Sequence, residues 1–118
     1  MGFKKEQITD EDKLLRRVDF LNPNFIKPNG VPASSSFSTK RNEQGLSVDV
    51  ERLTTYKKSI QNIKRFRLYA LNASYTTSLG LKNIHDPLED NYAHALIVGN
   101  ITRSIARDLA RHAMRINY

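Results

Sequence analysis

The period of the apolar residues changes several times along the chain, and this bounds the fold more tightly than composition does. Leu46, Val48 and Val50 alternate with Ser47 and Asp49, the two-residue repeat of a half-buried strand. Leu53, Tyr56, Ile60 and Ile63 then recur at intervals of three and four, which aligns them on one face of a helix. Phe66 to Ala73 and Ala93 to Gly99 are mostly apolar on both sides, as strands in the interior of a sheet are. Helical spacing returns from Thr102 to Ile116, where Ile105, Leu109, Ala113 and Ile116 form one apolar edge flanked by Ala106 and Ala110. Asn100 or Thr102 is placed to cap its start through a side-chain oxygen. A chain that switches between these two periods is neither all helix nor all strand.

Ahead of this region, Leu14, Arg16, Val18 and Phe20 fall on one side of an expected first strand, with Leu15, Arg17 and Asp19 on the other. That strand carries an arginine on each face. Residues 1–12 are polar, with little apolar face, and read as a flexible N-terminal arm. Residues 22–42 hold Pro23, Pro28, Pro32, the Asn29-Gly30 turn pair and the run Ser34 to Thr39, which predicts an extended loop with a short strand around Phe37. The expected architecture is a single α+β domain over residues 13–118, in the order βββαββα. Its sheet of about five strands is mixed or antiparallel, with two helices on one face.

The length of 118 residues allows one hydrophobic core, and the absence of cysteine removes both disulfides and thiolate metal ligands. A cytoplasmic setting is therefore expected. The apolar run Ala95 to Val98 is far too short to cross a bilayer, so no membrane partner is expected. His85, His94 and His112 have no metal-motif spacing, and neither a metal nor a cofactor is expected.

The formal net charge is +7, and its excess falls in two stretches, residues 22–66 and 101–118. In the second, Arg103, Arg107, Arg111 and Arg115 recur every four residues, so a continuous helix would carry them as one slowly drifting stripe opposite the apolar edge. Four guanidinium groups in a row suit a run of phosphates; the same pattern also suits a solvated helix face. In the first, Lys57, Lys58, Lys64 and Arg65 form a basic block with Arg67. Tyr56, Phe66 and Tyr69 are interleaved there, either as stacking surfaces for single-stranded bases or as core residues. Lys57, Lys58, Lys64, Arg65, Arg103, Arg107, Arg111 and Arg115 are the candidate nucleic-acid contacts. An acidic protein is the other partner class that such charge would attract.

A second candidate site is a ligand cleft formed by Arg16, Ser36, Ser47 and His94, polar groups set among hydrophobic landmarks. Arg16 and Arg17, followed by Ser34-Ser35-Ser36-Phe37-Ser38-Thr39, resemble the arginine-type ADP-ribosyltransferases over the first third of the chain. That resemblance implies an arginine on the first strand and a serine-rich strand that together hold a nicotinamide dinucleotide. The family's glutamate pair has no counterpart, since the matching region offers only Glu89. Over nearly the whole chain past the arm, Leu14-Leu15-Arg16, Ser36-Phe37, Leu46-Ser47-Val48, Gly80-Leu81, Asp86-Pro87 and His94-Ala95-Leu96-Ile97 resemble a group of small uncharacterised bacterial proteins.

Three functions are compatible with these features. The first is a noncatalytic basic binding module, an accessory subunit of a bacterial nucleic-acid-handling or defence assembly. The second is a small nucleotide- or NAD-binding enzyme, and the third an antitoxin-like or scaffold subunit that binds another protein.

Overall fold

The computed structural model describes residues 4–40 and 43–117. Six strands form one sheet: β1 (Lys13–Asp19), β2 (Leu46–Val50), β3 (Phe66–Asn72), β4 (Lys82–His85), β5 (His94–Val98) and β6 (Met114–Ile116). Their spatial order is β4-β5-β2-β1-β3-β6, and every neighbouring pair is antiparallel. The helices are α1 (Tyr56–Ile60), α2 (Ala73–Ser78) and α3 (Arg103–His112). The α+β class and the antiparallel sheet agree with the sequence reading.

Registers assign the side chains to faces. Leu14 lies opposite Val50 and Leu71, and Leu46 opposite Ile97. These residues share the major face and pack with Phe37, Leu109 and Ala110 in the main core. Leu15, Leu68 and Ile116 point the other way and form a smaller cluster with Ile60. Helices α2 and α3 therefore cover the major face, and α1 the minor one. Helices on both faces correct the expectation of one covered face: Ile60 is the residue whose helical spacing closes the minor cluster.

Several elements differ from expectation. Ser34–Phe37 is a 3₁₀ turn and not a strand; it still buries Phe37 completely, because the turn aims that ring into the main core. The expected helix from Leu53 contracts to α1, with Thr55 accepting a hydrogen bond from the amide of Lys58 at its start. Gln61, at φ 65°, ends it. Helix α2 and strand β4 lie between the two interior strands, where the order βββαββα has no element. The last helix stops at His112, since Ala113 is extended (φ −60°, ψ 134°), and Met114–Ile116 then adds to the edge of β3. Ile116 caps Leu68 on the minor face in consequence.

The segment before β1 was expected to be a flexible arm; residues 1–3 lie outside the described residues, and residues 4–12 make a connected set of contacts. Arg52 binds Glu6 (3.0 Å) and Asp12 (2.8 Å), and Tyr92 donates its hydroxyl to the carbonyl of Lys4 (2.7 Å). The arginine and tyrosine beside Glu6 hold its carboxyl below the usual range. The amide of Glu6 donates to Nδ1 of buried His85 (2.7 Å), which leaves the His85 proton on Nε2, donated to the carbonyl of Tyr92 (2.6 Å). Ile8 packs against the main core.

Gly45 marks the entry to β2 where backbones come closest. A Cβ there would lie 2.8 Å from the carbonyl oxygen of Ile97 and 2.8 Å from Cγ1 of Val98. Gly45→Ala is expected to cost about 1–3 kcal/mol of stability in urea denaturation. Wild-type stability in that variant would contradict the close approach.

Candidate functional site

Helix α3 turns its apolar edge inward: Ala106, Leu109 and Ala110 are buried, and Thr102 caps the first turn by accepting from the amide of Ile105 (3.1 Å). Arg103, Arg107 and Arg111 consequently project to solvent, about 12 Å from first to last along the axis. None of the three makes an ion pair among the described residues. Arg107 and Arg111 also border a hollow of about 300 Å³ against the loop carrying Lys27, Val31 and Ser34. Arg115 does not continue the stripe. It lies on β6, opposite Tyr69, because the helix has already ended.

The central basic block is on the other side of the molecule. Lys57 and Lys58 are exposed on α1, whose Ile60 packs on the minor face, so the α1 and α3 cations face away from each other across the sheet. Lys64 and Arg65 follow in the turn before β3 and are also exposed. Arg65 lies 3.3 Å from Asp19 and stacks over Phe66 at 4.8 Å. The interleaved aromatics are structural: Tyr69 is buried in the main core, while Tyr56 and Phe66 pack on the minor cluster.

The residues of the expected cleft are connected without forming one cleft. Arg16 points to the major face, where its Nε donates to the carbonyl of Ser36 (2.9 Å) and its Nη1 to that of Ser47 (2.8 Å). Burial, with a smaller contribution from neighbouring Arg17, pushes its guanidinium down to about 10, against an opposing pull from Glu43. The Ser36 hydroxyl donates to the carbonyl of Phe25 (2.6 Å). His94 emerges on the minor face, opposite Asp49. Its Nδ1 is 2.9 Å from the Asp86 carbonyl, which places the proton there, and 3.2 Å from the Asp86 carboxylate. Nε2 is then free to accept from the Ser47 hydroxyl at 3.3 Å. Ser47 thus joins the two sites through different atoms on opposite sides of the sheet.

Sequence reasoning overlooked the group that organises this region. Strands β1 and β2 pair only at Leu14 with Val50 and Leu15 with Asp49. Past that point the ladder stops, and Arg17 reaches across to the carboxylate of Asp49 (3.4 Å) and the carbonyl of Ser59 (2.8 Å). Asp49 is buried, and it also accepts from the Ser59 hydroxyl (2.7 Å) and Asn91 Nδ2 (2.8 Å). The available signal was the arginine on each face of β1 together with an aspartate on the polar side of the neighbouring strand β2. Among the described residues no group of His, Asp and Glu is arranged to hold a metal ion. No described helix is long and apolar enough to cross a membrane.

The chain matches no protein-family model, no curated protein and no solved structure at a significant level.

Arg16 spans two carbonyls with separate nitrogens, a task a single ammonium on a flexible stem performs poorly. Arg16→Lys is expected to lower stability by about 1–2 kcal/mol, whereas Arg103→Lys leaves it unchanged. Equal stability of the two variants in denaturant melts would contradict the bridging role.

Proposed function

We propose that this chain is a noncatalytic, basic binding module for nucleic acid, an accessory subunit of a bacterial nucleic-acid-handling or defence assembly. The observation that carries the reading is the outer face of α3: three exposed arginines one turn apart, with no carboxylate paired to any of them among the described residues. Arginine side chains unoccupied by internal partners are available to phosphates, and such contacts position a polyanion without reading its sequence.

Lys27 extends this face through the hollow beside Arg107 and Arg111. The α1 lysines face the other way, so they do not belong to the same footprint. The assignment to a bacterial assembly rests on the resemblance of short motifs, spread over nearly the whole chain past the arm, to small bacterial proteins. Binding to an acidic protein is the competing outcome, separated from nucleic acid by the partner that competes for α3.

Fluorescence anisotropy with a labelled oligonucleotide tests this. If three arginines neutralise three phosphates, the logarithm of affinity falls with the logarithm of salt at a slope of about −2 to −3. Arg107→Glu with Arg111→Glu is expected to weaken binding by about tenfold or more while the circular dichroism spectrum is retained. Lys57→Glu with Lys58→Glu changes it much less. Absence of binding at low salt, or an affinity indifferent to the α3 pair, would overturn the reading.

A further inference from the structure

At the end of β1, Arg17 and Arg65 each have a carboxylate in contact, and Arg16 does not. Arg16 leaves β1 toward the major face and Arg17 toward the minor one, and both border a hollow of about 230 Å³ at the point where β1 and β2 part. Arg65 enters the same hollow from the turn before β3, and Phe25 and Phe66 supply apolar walls. Three guanidinium groups therefore meet one aspartate of the lining, Asp19, which is already engaged by Arg65. Arg17 is compensated by Asp49, whereas Arg16 has only neutral carbonyls as hydrogen-bond partners and feels the charge of Glu43 without contact.

A guanidinium has five N–H donors. The described contacts engage Nε and Nη1 of Arg16, Nη1 of Arg17 and Nε of Arg65. Nη2 of all three arginines has no partner among the described residues, and no buried side-chain nitrogen or oxygen there lacks one. The spare donors accordingly keep some contact with solvent. Ser35 and Ser36 also line the hollow, but their hydroxyl protons are given to the carbonyls of Asn24 and Phe25, so they position the wall and leave anion binding to the arginines.

We propose that this hollow binds the phosphate group of a small organic phosphate, at a site separate from the α3 surface. Guanidinium groups that border one hollow from two adjacent β1 residues and from a third segment suit a tetrahedral anion, with oxygens in several directions, better than a planar carboxylate. The space beside the phosphate, walled by Phe25 and Phe66, admits a flat organic group.

Isothermal titration at constant ionic strength, with inorganic phosphate, adenosine monophosphate and acetate as probes, decides this. Saturable binding of both phosphates, with acetate much weaker, is expected. Arg65 is largely exposed, with its side chain 58% accessible, so Arg65→Ala should retain the fold; it is expected to weaken phosphate binding by about tenfold. Arg107→Glu with Arg111→Glu should leave that binding unchanged, which separates this site from the polyanion surface. The proposal is overturned by no saturable phosphate binding, by acetate binding as well as phosphate, or by loss of binding in the α3 variant but not in Arg65→Ala. A folded Arg65→Ala protein with wild-type affinity also overturns it.

Discussion

Strand β1 pairs with β3 along its whole length but with β2 only at one end, and two arginines take over where the second ladder stops. Arg16 binds main-chain carbonyls on one face, and Arg17 binds a carboxylate and a carbonyl on the other. Backbone groups released at a strand fork need partners, and a buried carboxylate needs compensation for lost hydration. Adjacent residues of a strand point to opposite faces, so one dipeptide serves both needs. Asp49 then ties β2 to α1 through Ser59 and to the turn before β5 through Asn91. The central strands, the minor-face helix and that turn meet at this carboxylate.

The same division of faces determines how the basic surfaces are disposed. Helix α3 closes the main core and α1 the smaller cluster, so their cations cannot act as one continuous strip. The basic residues behind the surplus of +7 thereby fall on separate surfaces: the outer face of α3, the exposed lysines of α1 and the turn before β3, and the arginines at the fork. The arginines of α3 contribute nothing evident to internal packing; those of β1 are part of the framework.

Periodicity made the α+β class, the strand at Leu46–Val50 and the inward edge of α3 legible, because each is a repeating choice between core and solvent. Short elements were not legible. A four-residue strand such as β4 and a three-residue strand such as β6 show too few repeats, and Met114 to Ile116 fit the preceding helical spacing as well as a strand. The strand expected around Phe37 is a 3₁₀ turn, which delivers a ring to the core as a strand can. Of the proposed cleft, Arg16 with Ser36 and Ser47 with His94 are each in contact. Their separation to opposite faces depends on register, which no single strand encodes. The pairing of Arg17 with Asp49 is not legible because it spans 32 residues of chain.

A double-mutant cycle on Arg17→Ala and Asp49→Ala, read by urea denaturation, tests the organising role of the fork most directly. Contact between a partly shielded guanidinium and a buried carboxylate should give a coupling energy of about 1–3 kcal/mol. Additive losses, with coupling within about 0.3 kcal/mol of zero, would mean that the two side chains act independently and that the fork is held by something else.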